Sequence, residues 1–113
     1  MSQNRNKLII LFIGNISNVV VHEILEKAIN NKEITDKYGR EIMNSFDKAK
    51  EYRKKINPKN TSLQAKDVEN VKSKIVNKVK AELKLRISKG YEGIDLNLIE
   101  EIVDKYLKET NIT

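Results

Sequence analysis

The stretch LIILFIGNISNVVVHEILEKAI, Leu8 to Ile29, constrains the fold more than any other part of the chain. Between Leu8 and Val21 it holds ten apolar residues, one glycine and three small polar ones. A membrane span needs about 20 mainly apolar residues. Here the unbroken run is Leu8–Ile13, after which Gly14, Asn15, Ser17 and Asn18 intervene and His22-Glu23 closes it. No small-residue cleavage site follows, as a secretory signal would require. The expectation is therefore a cytoplasmic chain with no membrane association.

Two readings of the stretch compete. KLIILFIG is β-branched, short and closed by glycine, as a buried strand would be. A strand needs partners, however, and no other segment reads as one, so this form is comfortable only in pairing between molecules. The helical reading explains more residues. At 100° per residue Ile9, Ile13, Ile16, Val20 and Ile24 fall on one stripe, with Phe12 and Val19 along its edge. Asn15, Asn18 and His22 share the opposite side, and Asn4 or Asn6 is placed to cap the start. Ile10, Leu11 and Val21 lie outside the main stripe. Gly14, with Ser17, offers room for another backbone to approach.

The remaining segments carry helical periods too. After NNKEIT, with Asn31 or Thr35 as cap, the stripe Tyr38, Ile42, Phe46, Ala49, Arg53, Ile56 marks a second helix, with Met43 beside it. Asp36–Arg40 and Glu51–Lys55 have favourable i,i+4 spacing. Pro58 forbids continuation, and NPKNTSLQ reads as a loop. Val68, Val71, Ile75, Val79 and Leu83, flanked by Val76 and Ile87, define a third helix that Gly90 ends as a left-handed cap. A fourth follows Asp95 or Asn97, the latter with capping-box spacing to Glu100. Ile102, Val103, Tyr106 and Leu107 face inward, with Leu98 or Ile99 before them, and ETNIT is expected to fray. The whole predicts an all-α fold: one domain over 1–113, an antiparallel four-helix bundle with a long apolar N-terminal helix. Its helices are expected near 5–30, 36–56, 66–89 and 96–108.

Composition narrows the chemistry. A chain of 113 residues without cysteine needs no disulfide staple and has no thiolate nucleophile or cysteine-bound zinc. The net charge is +6, but lysines outnumber arginines 18 to 4. Lys, Ile and Asn share A/T-rich codons, so a biased genome supplies such lysines without selection for phosphate contact. Residues 66–89 carry eight basic and three acidic groups, and residues 92–109 two basic and six acidic. Lys74, Lys78, Lys80 and Lys84 point away from the third helix's apolar stripe. Lys78–Glu82–Arg86 also has the spacing of a salt-bridge ladder, and the acidic last helix is suited to neutralise a basic neighbour.

Catalytic and cofactor motifs fail one after another. His22 is the sole histidine. HEILE has the start of the HExxH zinc motif, but Glu26 stands where the second histidine belongs, so no metal site is expected. Di-iron bundles need Glu three residues before His, and that position is Val19. The four glycines fit neither phosphate-binding fingerprint. Glu100, Glu101 and Asp104 read as a solvated face. A relay from Ser17 to His22 lacks a nucleophile elbow, and no arginine stands four to six residues before His22 as helical nucleases require.

The expectation is a non-enzymatic protein without cofactor, metal or lipid partner. It would serve protein–protein interaction or assembly as a homodimer, using Ile10, Leu11, Gly14 and Val21. The alternative is a basic nucleic-acid-binding accessory protein using Lys74, Lys78, Lys80, Lys84 and the KAKEYRKK stretch Lys48–Lys55. It lacks interleaved aromatics and a helix-turn-helix signature.

Overall fold

A computed structural model describes residues 5–29, 31–56 and 63–113. Asn4 and the proposed breaker Pro58 lie outside the described residues, as does most of NPKNTSLQ. The described residues form four α-helices: α1 Arg5–Ala28, α2 Lys32–Ile56, α3 Ala65–Ser88 and α4 Ile99–Glu109. Leu8–Ile13 is helical, and among the described residues there is no strand.

The chain runs up, down, up, down. Asn18–Ser45 and His22–Glu41 contacts set α1 and α2 antiparallel. The Arg5–Asp67 ion pair, 3.2 Å, joins the beginnings of α1 and α3, which run parallel. Lys72–Asp104 at 3.0 Å and Tyr106 Oη to Glu23 at 2.6 Å then bring α4 back down against α3 and α1. The bundle measures 45 × 25 × 22 Å. α1 packs on all three other helices. Phe12, Ile16, Val19, Val20, Ile24 and Leu25 are fully buried along it. By length and composition alone α1 could cross a bilayer, but most of its apolar length is buried in the fold.

The helix ends follow local chemistry. α2 begins at Lys32, four residues earlier than the periodicity predicts, because Asn31 Oδ1 accepts from the Glu33 and Ile34 amides at 3.1 and 3.3 Å. α3 ends in a Schellman motif. Gly90 takes φ +100°, Tyr91 N–H donates to Arg86 O at 3.1 Å, and Gly90 N–H to Ile87 O at 3.0 Å. Gly93, at φ +80°, lies where a Cβ would stand 3.3 Å from Ala28 O, so the chain crosses the end of α1 closely. The fourth helical segment opens with a 3-10 turn, Leu96–Leu98, capped by Asp95, whose carboxylate accepts from Asn97 N–H at 2.9 Å. Asn97 thus sits within the turn and is not its cap.

The expectation that ETNIT frays is wrong. Asn111 adopts φ +60°, Ile112 N–H donates to Leu107 O at 2.8 Å, and Asn111 N–H to Lys108 O at 3.1 Å. This is a second Schellman motif with asparagine in the left-handed position, one of few residues that tolerate it. Ile112, 0% exposed, joins the core, and Leu63 N–H donates to its carbonyl at 3.4 Å.

Candidate functional site

The outer face of α1 is where the sequence placed self-association. Ile10, Gly14, Val21 and Leu25 are spaced by 4, 7 and 4, so they share one helical stripe. Ile10 is 64% exposed, and Gly14 and Leu11 are half-buried. Val21 is 4% exposed and Leu25 0%. Val21 therefore does not belong to a surface patch, contrary to the sequence reading, because the bundle's own core takes it. The stripe is closed over the second half of α1 and open over the first. At the open end Lys78 crosses from α3, its Nζ 3.9 Å from the Cβ position of Gly14.

Lys74, Lys78, Lys80 and Lys84 of α3 are all exposed, but they do not make one surface. Lys78 lies over α1 at Gly14. Lys80 and Lys84 instead line the hollow between α3 and α4, about 410 Å³, with Val76, Leu96, Asn97, Ile99 and Glu100. Helical phase explains the split: Lys74 and Lys78 flank one edge of the buried stripe, and Lys80 and Lys84 the other. Only half of the expected ladder forms, Glu82–Arg86 at 3.4 Å. The acidic last helix does neutralise its neighbour through Lys72–Asp104, and this hydrogen bond raises the Lys72 pKa. Asp36–Arg40 and Glu51–Lys55 are not among the ion pairs of the described residues, where α2 forms Asp47–Lys50 at 3.5 Å.

KAKEYRKK is likewise not a uniform basic surface. Arg53 is 2% exposed and donates from Nη2 to Asn111 O at 2.7 Å. Burial pushes its guanidinium pKa below the ordinary value. With Lys50 and Lys54 it lines a small cavity against Thr110 and Asn111. Cations there answer the negative C-terminal end of α4. Lys50 and Lys55 lie over the Phe46 and Tyr52 rings at 4.9 and 5.9 Å.

A polar cluster that the sequence reading missed sits between α1 and α2. His22, assigned there to the polar side of α1, is buried against α2, its Nε2 2.6 Å from Glu41 Oε2 and its Nδ1 2.7 Å from Asn18 O. The Tyr38 ring lies across it at 5.3 Å between centroids. Asn18 Nδ2 donates to Ser45 Oγ at 3.4 Å. With both ring nitrogens engaged, neither is available to activate Ser17, whose hydroxyl is buried elsewhere on α1. Glu41 and Ser45 lie one turn apart on α2, opposite Asn18 and His22 one turn apart on α1. That matched i,i+4 spacing was the available signal. Among the described residues no group of three His, Asp or Glu side chains is placed to hold a metal ion.

On the other flank of α1, Glu23 Oε1 accepts from Tyr106 Oη at 2.6 Å and pairs with Lys105 Nζ at 3.1 Å. Burial, and then this hydrogen bond, push the Tyr106 phenol well above its ordinary value. A neutral phenol favoured by the fold contributes stability below about pH 10, the unfolded value, and loses it as pH climbs toward the folded one. Tyr106→Phe should therefore lose less stability than the wild type between about pH 10 and 11.5. Chemical denaturation at each pH reads the difference.

Compared with known proteins, the chain matches no family model, no curated protein and no solved structure.

Proposed function

We propose that this chain is a non-catalytic helical interaction or assembly subunit that self-associates through the first half of α1. The observation that carries the reading is the half-covered stripe. Val21 and Leu25 are buried, while Ile10, on the same stripe, is 64% exposed beside half-buried Leu11 and Gly14. Burying a side chain of that size is worth about 1.5–3 kcal/mol. A two-fold dimer hides the same patch on both subunits and is the commonest closed assembly. Gly14, with no side chain, lets a second α1 come near once the flexible Lys78 ammonium beside it moves aside.

Light scattering coupled to size exclusion tests it. The wild type and Lys80→Asp should give twice the 13.1 kDa chain mass, and Ile10→Asp should give a folded chain of 13.1 kDa. A wild type of single-chain mass at high micromolar concentration overturns the reading, and so does an Ile10→Asp chain that still dimerises.

A second reading, nucleic-acid binding, is supported by the exposure of Lys74, Lys78, Lys80 and Lys84, none of which is in an ion pair among the described residues. Affinity for a generic DNA or RNA should then fall steeply with salt as lysine–phosphate contacts release counterions. The Lys74→Glu, Lys78→Glu, Lys84→Glu chain should not bind. Binding that survives those changes contradicts this second reading.

A further inference from the structure

The contact between α1 and α2 contains a stereochemical demand that a neutral histidine cannot meet. His22 Nδ1 is 2.7 Å from Asn18 O, and Nε2 is 2.6 Å from Glu41 Oε2. A backbone carbonyl and an ionised carboxylate only accept hydrogen bonds. A neutral imidazole has one N–H and one lone pair, so it answers one of these oxygens and turns a lone pair on the other. An imidazolium answers both. Placing the extra proton on Glu41 instead leaves the total unchanged, since the pair still holds one proton more than a neutral ring and a carboxylate. The ring side chain is 11% exposed, so water does not readily replace a lost partner, whereas the Glu41 side chain at 40% stays hydrated.

From this geometry we infer that His22 and Glu41 form a proton-dependent clasp between α1 and α2, closed while the pair holds its extra proton and weakened when that proton leaves. The groups around the ring fit the role. From α2, Glu41 and Tyr38 touch it. On α1, Glu26 lies one turn further along, beside Gly39 of α2, and Glu23 is turned away toward Tyr106 and Lys105. The sign follows directly. The clasp contributes stability on the acid side of ring deprotonation and loses it as pH rises.

The sequence makes the test clean, because His22 is the sole histidine. Histidine is the only side-chain type whose ordinary titration falls between about pH 5 and 8. Thermal unfolding is recorded across that interval for the wild type and for Glu41→Gln. A glutamine amide can donate to an unprotonated Nε2 while Nδ1–H still donates to Asn18 O, so the variant needs no extra proton. The wild-type Tm should fall by several degrees as pH rises, and the Glu41→Gln curve should not fall. Parallel curves, or a wild-type Tm independent of pH, overturn the inference. Ring 15N shifts and the Glu41 carboxyl-carbon shift of the wild type give a second readout. Loss of one proton from the pair, read on the ring nitrogens or on the Glu41 carboxyl carbon, in step with the fall in Tm supports the clasp, and a ring singly protonated beside an ionised Glu41 throughout the interval overturns it.

Discussion

Phe12→Ala should lower the unfolding free energy by about 3–5 kcal/mol, the range for removing a buried phenylalanine ring. Ile10→Ala, two residues away, should change it by less than about 0.5 kcal/mol when measured at concentrations too low for association. A chain of this length has a total stability of roughly 6–17 kcal/mol, so the first substitution removes a large share of it. The contrast depends only on orientation. Phe12 is fully buried beneath the other helices, and Ile10 projects from the opposite flank of the same helical turn. Urea titrations of the two variants measure it. Equal losses would mean that α1 is rotated relative to its neighbours, and the half-covered stripe would not exist.

Ile112→Ala should cost about 2–4 kcal/mol, the range for truncating a buried isoleucine. Ile112 is fully buried and is drawn inward by the left-handed Asn111 that reverses the chain after α4. Two neighbours dissect the effect. Asn111→Gly should be close to neutral, since glycine takes positive φ freely. Asn111→Val should be destabilising by about 1–2 kcal/mol, because a β-branched residue resists that backbone. Thermal or urea unfolding of the three variants reads the order. An Ile112→Ala chain as stable as the wild type would mean that the tail does not dock in solution.

These two sites also show what the sequence could and could not reveal. The four helices were legible because each carries an apolar stripe at helical spacing, and no strand-like run competes outside Leu8–Ile13. The inward placement of Arg53 was legible as well, since it falls in register with Ala49 and Ile56. The docked tail was not, because its signal is an asparagine before an isoleucine, weaker than the glycine that marks the end of α3. Val21 escaped for a different reason. A stripe drawn from α1 alone cannot tell that the bundle covers its outer face over one half and leaves it open over the other. The lysines of α3 looked like one surface because apolar phase says only that a residue points outward, not toward which neighbouring helix. The polar cluster of Asn18, His22, Glu41 and Ser45 requires the register between α1 and α2, which neither helix encodes alone.

The half-open stripe is tested most directly by crosslinking, for which a chain without cysteine is well suited. Single cysteines are introduced by Ile10→Cys and, as a control, by Met43→Cys on α2, where the native side chain is similarly exposed at 67%. Each protein is treated at low micromolar concentration with a short bismaleimide. Self-association through the first half of α1 predicts that the Ile10→Cys chain is captured as a covalent dimer, and that the Met43→Cys chain remains mostly single. Equal and slow crosslinking of the two, at the rate of random collision, would contradict it and leave Ile10 an ordinary exposed isoleucine.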